Sequence, residues 1–235
     1  VSGNARDRTR NQLLSFLPER SWNLVSPELE PLSLPKDFIM AMRDEKMDYV
    51  YFLETGIGSL ILQTDVGHKA EAGMFGREGF SPTSAAVGGE VSIYDIVIQS
   101  PGYGHRIDAA TFKSLLDEDR HLERVLLRYI YVFAGQVSYT ALANAGHKID
   151  VRLARWLLMC HDRVDGNEFH LTHDYLAIML GVRRASVTTA LHELEGEGFI
   201  RSERNRILIT RRDDLEAFAG DAYGKPEEQY RMLLG

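Results

Sequence analysis

The spacing of apolar residues changes character along this chain, and each change predicts a different kind of element. Between about Leu32 and Ile107 the apolar residues come in short runs broken by turn formers. Asp48-Tyr49-Val50-Tyr51-Phe52-Leu53-Glu54 reads as a strand, Thr55-Gly56 as a turn and Gly58-Ser59-Leu60-Ile61-Leu62-Gln63 as a second strand. Gly67, Gly73, Gly76, Gly79, Gly88-Gly89 and Gly102 mark further turns, and Ser92 to Gln99 gives a last strand. Many short strands with frequent glycines predict a β-sandwich or jelly roll. Ahead of it, Leu13, Leu14, Phe16, Leu17, Trp22 and Leu24 group as small helices, interrupted by Pro27, Pro31 and Pro35.

Beyond residue 108 the period becomes helical. Asp117, Glu118 and Asp119 suit a helix N-terminus. Leu122, Leu126, Tyr129, Phe133, Gln136 and Thr140 follow at nearly heptad spacing. A helix of about 28 residues would be about 42 Å long. One barrel is too small to cover it, so an exposed seam at these six positions predicts a second copy as partner. Asn144-Ala145-Gly146 reads as an interruption and a hinge. A further helix from Ile149 to about Arg163 carries Leu153, Trp156, Leu157 and Cys160 on its inner side.

Residues 171–200, LTHDYLAIMLGVRRASVTTALHELEGEGFI, carry the most specific pattern. Thr172 is placed to cap a short helix over Asp174 to Leu180. Gly181 falls where a left-handed C-cap is needed. A second helix starts near Arg183 or Arg184 and ends at Gly196-Glu197-Gly198. Its apolar face is Val187, Ala190, Leu191 and Leu194, and its other face carries Arg184, Ser186, Thr188 and Thr189. This is the layout of a helix-turn-helix whose second helix enters the DNA major groove. A hairpin follows: Phe199 to Arg201, a polar turn over Ser202 to Asn205, then Arg206 to Thr210. Such a wing, with Arg204 and Arg206 near its tip, suits phosphate contact.

Residues 147–212 resemble the winged-helix half of the Crp/Fnr family of bacterial transcription regulators. The matching residues include Leu153-Ala154-Arg155-Trp156-Leu157-Leu158, Leu176-Ala177, Leu180-Gly181-Val182, Arg184, Ser186-Val187, Leu194-Glu195 and Gly198-Phe199-Ile200. Upstream, VYFLETGIGSLI, GREGF and QSPG resemble the family's sensor barrel. The resemblance implies an α+β chain in three parts: a cyclic-nucleotide-binding-like jelly-roll barrel with N-terminal helices over 1–116, a dimerisation helix and hinge over 117–146, and a winged helix-turn-helix domain with a C-terminal tail over 147–235. It implies a homodimer on a palindromic double-stranded operator, with RNA polymerase as a further candidate partner. It also implies DNA contacts at Thr172, His173, Arg183, Arg184, Ala185, Ser186, Thr188, Thr189, Arg204 and Arg206. In relatives the position of Arg184 forks onto guanine and that of Ala185 is a glutamate. The alanine removes an acceptor, so the target sequence should differ from the best-known family consensus. The tail beyond 213 is acidic and is expected to pack on the winged domain.

Charge supports this division. The whole chain carries 27 Lys/Arg and 34 Asp/Glu, net −7. Residues 146–212 carry 11 and 9, net +2, so the positive excess sits in the segment expected to touch phosphate. The one cysteine, Cys160, excludes an intrachain disulfide and a cysteine-only metal or iron–sulfur site. It reads as a buried small hydrophobe. No apolar run of membrane-spanning length occurs, and the polar Val1 to Arg6 lack a signal-peptide core. The expectation is cytoplasmic.

Cyclic-nucleotide binding in the family needs an Arg for the phosphate and a Glu for the ribose hydroxyl. The corresponding stretch, Gly76 to Thr83 and Val87 to Ser92, has no Arg near Val91, and Glu78 precedes its glycine. No cAMP response is therefore expected, and no effector is identified. A cupin metal site needs a His-x-His pair, which the barrel lacks with only His68 and His105. Ser81 does not sit in a G-x-S-x-G elbow, and GREG is not a phosphate-binding loop. The expectation is a non-enzyme without metal or cofactor. The competing reading is a ligand sensor or scaffold whose winged helix contacts proteins.

Overall fold

The computed structural model describes residues 9–203 and 205–235. Two short helices, α1 (Gln12–Ser15) and α2 (Glu19–Val25), lead into a jelly-roll barrel. Its strands are β1 (Glu30–Leu34), β2 (Ile39–Ala41), β3 (Tyr49–Leu53), β4 (Ile57–Gln63), β5 (Lys69–Phe75), β6 (Phe80–Ser81), β7 (Asp95–Ser100) and β8 (Gly102–Asp108). They form two four-stranded antiparallel sheets, ordered β1-β8-β3-β6 and β2-β7-β4-β5. Phe52, Phe75, Phe80, Leu53, Leu60 and Ile96 are fully buried in one core cluster that joins the sheets to the flanking helices. Phe52 stacks on Phe80 with centroids 5.8 Å apart, and Phe112 leans on both.

Phe112 belongs to α3 (Ala109–Glu118), which packs against β3, β8 and the helix that follows. Asp119 then caps the long helix α4 (Arg120–Gly146), accepting from the amides of His121 and Leu122. The helix runs through Asn144 and Ala145 without interruption. The break falls one residue later than expected, at His147 and Lys148, which are extended. Asn and Gly at a helix end satisfy local sequence rules for a hinge, but the α4 hydrogen bonding persists until His147, whose amide still reaches Ala143.

The winged domain comprises α5 (Ile149–His161), β9 (Glu168–Phe169), α6 (His173–Leu180), α7 (Arg184–Gly196), β10 (Ile200–Glu203), β11 (Arg206–Ile209) and α8 (Arg212–Ala219). The wing hairpin gains a third strand, giving the order β10-β11-β9. A two-residue strand is too short to show a period in the sequence. The chain closes with α9 (Lys225–Leu234).

The seam expected at Leu122, Leu126, Tyr129, Phe133, Gln136 and Thr140 points the other way. The first four are buried in the barrel's own core cluster. Gln136 is also buried, its Oε1 accepting the Met74 amide at 2.9 Å. Thr140 is half-buried and donates back to the Gln136 carbonyl at 3.0 Å. Gly79 explains how close this packing is: a Cβ there would stand 2.1 Å from the Tyr129 hydroxyl. A different stripe of α4 is open, with Leu127, Tyr131, Ala134, Ser138, Ala141, Leu142 and Ala145 all exposed. Its steps of three and four residues also satisfy a heptad seam. Spacing alone could not decide which of two apolar stripes the barrel would take.

The tail also differs from expectation. Helix α8 packs on α5 within the winged domain, but α9 crosses back to lie along α4. Leu234 enters the barrel's core cluster, and the Tyr230 hydroxyl donates to the Glu78 carbonyl at 2.9 Å. Helix α9 packs here because its apolar side, Pro226, Tyr230, Leu233 and Leu234, faces inward while Glu228 and Arg231 remain in solvent.

Candidate nucleic-acid interface

The helix-turn-helix is built by local rules. The Thr172 hydroxyl accepts the Tyr175 amide at 3.1 Å and starts α6. Gly181 ends it at φ 61°, in the left-handed region that favours glycine. The amide of Val182 returns to the Ala177 carbonyl, fixing the turn. Helix α7 then inserts Val187, Ala190, Leu191 and Leu194 into a common core with Leu153, Leu157, Leu176, Ile200 and Ile207.

That packing leaves the polar face of α7 outward. Arg183, Arg184, Ala185 and Thr189 are exposed, and Ser186 and Thr188 are half-buried. The threonine hydroxyls donate back to the carbonyls of Arg184 and Ala185 at 3.3 and 3.2 Å. His173 on α6 is hydrogen-bonded through Nδ1 to the Thr188 hydroxyl at 3.0 Å, which joins the two helices at this face. Arg184 lies 3.4 Å from Asp174, both side chains largely in solvent. Such an exposed pair is worth at most about 1 kcal/mol, so it holds the arginine loosely. Asp174 introduces an acidic group beside a face that looked free of acids when α7 was read alone.

The wing is less open. Arg206 bridges Glu168 at 2.6 Å and Glu203 at 3.4 Å. Arg204 lies outside the described residues. Of the arginines that follow, Arg211 donates to the Glu197 carbonyl and covers the Phe199 ring. Arg212 turns inward to Asp162 at 2.7 Å and the Tyr223 hydroxyl at 2.9 Å. Arg201 is exposed on β10.

The winged domain is held on the barrel through α5 and α6. Ile57 and Met74 of the barrel belong to the same buried cluster as Trp156, Leu157 and Leu180. A polar chain runs through this contact. Trp156 Nε1 donates to Glu71 Oε1 at 2.8 Å. The other Glu71 oxygen is 2.6 Å from the Ser59 hydroxyl, itself 2.6 Å from Gln99 Oε1, and Gln99 Nε2 reaches Cys160 Sγ at 3.5 Å. Ser59 has one proton and two acceptors, so a protonated Glu71 completes the chain: Glu71 donates to Ser59 and Ser59 to Gln99. Burial drives the same way, pushing the Glu71 carboxyl up to about 7 against the pull of its hydrogen bonds to Ser59 and Trp156. At the rim, Arg163 pairs with Glu78 at 2.8 Å, and Asp165 accepts from Arg77 at 2.8 Å and Arg10 at 2.5 Å. None of this junction was legible in the sequence, where Glu71 and Trp156 stand in unrelated segments.

Arg77 and Glu78, the charged residues of the stretch that binds phosphate and ribose in nucleotide-binding relatives, are therefore tied to the winged domain. Cys160 is buried at the end of the polar chain, and burial holds its thiol well above the ordinary range. Among the described residues no group of three or more His, Cys, Asp or Glu converges as a metal site. No described helix is long and apolar enough to cross a membrane.

Residues 151–218 match the family model of the Crp-like helix-turn-helix domain. No curated protein sequence matches the chain. Among solved structures, a Crp/Fnr-family transcriptional regulator from Eubacterium rectale ATCC 33656 is 19% identical with a TM-score of 0.67, over 88% of this chain and 97% of that one. FixK2 from Bradyrhizobium japonicum is 16% identical with a TM-score of 0.67, over 81% and 96%. The c-di-GMP-responsive global regulator CLP of Xanthomonas campestris is 14% identical with a TM-score of 0.63, over 82% and 99%. At these identities the likeness is one of fold, and it extends over barrel, long helix and winged domain together.

Proposed function

We propose that this chain, a Crp-like helix-turn-helix domain set in the fold of Crp/Fnr regulators, is a dimeric, sequence-specific DNA-binding transcription regulator. One observation carries the reading. The α7 face bearing Arg184, Ala185, Ser186, Thr188 and Thr189 is turned away from the domain core, and Arg183 beside it lines a groove against the barrel hairpin of residues 62–70. Arg184 is the base reader, forking onto guanine O6 and N7. Ala185 offers only a methyl, suited to a thymine methyl. Arg183, Thr172 and His173 flank it as backbone contacts, with Arg204 and Arg206 reaching phosphate from the wing. Arg206 must first leave Glu168 and Glu203, so its contribution is the smaller.

The dimer forms through the open α4 stripe centred on Tyr131, Ala134 and Ser138, where small residues let two helices approach closely. The two recognition helices then address half-sites roughly 34–36 Å apart. The chain acts without catalysis, in the cytoplasm, and does not answer to cAMP. Support for the last point comes from Arg77 and Glu78, whose charges are spent on Asp165 and Arg163. The fold leaves effector chemistry open, since CLP of the same fold is c-di-GMP-responsive.

Selection from random duplex DNA by the purified protein, at two salt concentrations, tests the reading. A two-fold palindrome that enriches less at high salt is expected, because phosphate contacts release counterions. Ala134→Glu should yield a monomer in sedimentation and lose the palindrome. A variant that stays dimeric would move the interface elsewhere. Salt-independent failure to enrich any sequence would favour the winged helix as a protein-contact module.

A further inference from the structure

A cavity of about 410 Å³ lies outside the barrel, where the barrel, α4, the end of α5, α8 and α9 meet. Its size is within the range of small-molecule sites, roughly 300–1,000 Å³. Four aromatic rings line it: Tyr129 and Phe133 from α4, Tyr223 from the turn after α8, and Tyr230 from α9. Tyr129 and Phe133 are adjacent, with centroids 5.9 Å apart. The Tyr129 hydroxyl is fully buried and has no hydrogen-bond partner among the described residues. That hydroxyl is packed against Gly79 with no open surface, so Tyr129 meets an occupant with its ring.

The charges on the wall are unevenly matched. Arg163 is held by Glu78 and by the Met159 carbonyl at 2.6 Å. Arg212 is held by Asp162 and Tyr223. Arg231 is exposed. Glu227 is different. One of its oxygens accepts the Gly224 amide at 3.1 Å, and no ion pair reaches it among the described residues. Arg163 and Arg155 act on it only through their fields, and burial raises its carboxyl. A desolvated carboxylate beside aromatic faces is the chemistry that recognises organic cations: the rings attract the cation by their quadrupoles and the carboxylate neutralises it. Among the described residues, the lining arginine without a carboxylate partner, Arg231, stands in solvent.

We infer that this junction cavity binds a small organic ammonium compound, its cationic head between Glu227 and the aromatic rings. Because the cavity is walled by the barrel, α4 and the winged domain together, an occupant touches every part whose arrangement sets the spacing of the recognition helices. That consequence rests on the DNA-binding reading. The site itself does not.

Calorimetric titration of the full chain, without DNA, tests the site, so its failure and that of the DNA reading stay distinct. The compounds are choline and tyramine, each against its uncharged counterpart: the analogue of choline with carbon in place of nitrogen, and tyrosol. At least one ammonium compound should bind below roughly 10 mM and about tenfold more tightly than its counterpart. Glu227→Gln should abolish that preference. The inference is overturned if neither amine binds in that range, if the uncharged counterparts bind equally, or if Glu227→Gln binds as the unaltered protein does.

Discussion

The winged domain has two polar surfaces with opposite physics. Toward solvent, the α7 face carries charges and hydroxyls that are already hydrated and paired, if at all, by a loose contact such as Arg184 with Asp174. Toward the barrel, a smaller number of polar atoms is sealed in an apolar cluster and satisfied link by link from Trp156 to Cys160. Exchanging partners costs little on the first surface and a great deal on the second, because a buried polar group loses its partner without water to replace it. The difference separates two tasks. One surface is free to read a ligand as large as DNA, and the other fixes where that reader stands relative to the barrel.

Breaking the buried side should have the largest effect. Trp156 is buried among residues of both the barrel and the winged domain and donates to Glu71. Trp156→Ala should cost about 3–5 kcal/mol in chemical denaturation and uncouple the two halves into separate transitions. A single transition with under about 1 kcal/mol of loss would show that the junction contributes little.

The next effect is a pH dependence. Glu71 rises from 4.5 in the unfolded chain to about 7 in the folded protein. The folded state then holds the proton more tightly, so this group's contribution is complete below 4.5 and is lost as pH rises through 7. The full loss is on the order of 3 kcal/mol. Stability should therefore fall between pH 5 and pH 8, roughly, and Glu71→Gln, which keeps one donor and one acceptor, should flatten that slope. An equal slope in the variant would assign the titration to another group.

The solvent side should respond least. Asp174→Asn removes the loose partner of Arg184 and one negative charge near the DNA phosphates. Specific affinity should improve by less than about 1 kcal/mol, with folding stability unchanged. A loss of affinity would mean that Asp174 positions the arginine rather than restraining it.

The helix-turn-helix was legible because its determinants are local. Thr172, Gly181 and the spacing of Val187, Ala190, Leu191 and Leu194 each act within a few residues, and the structure has them in those roles. The jelly roll was legible as a class from strand and turn spacing, although short β9 was not. Pairing between distant segments was not legible. Residues 122 to 140 offered two stripes of equal period, and the choice between them depends on Gly79 and the barrel surface. The same holds for α9, whose apolar side could have met the winged domain as easily as α4. The junction chain from Glu71 to Cys160 joins single residues from four strands and helices, and no periodicity marks it.

The central claim is that the exposed α7 face reads base sequence through Arg184. Its most direct measurement is the affinity of Arg184→Ala for the selected palindrome and for a scrambled duplex at the same salt concentration. Binding to the palindrome should weaken by about 1–3 kcal/mol per half-site contact while binding to the scrambled duplex is unchanged. Equal affinity of variant and unaltered protein for the palindrome would contradict the account.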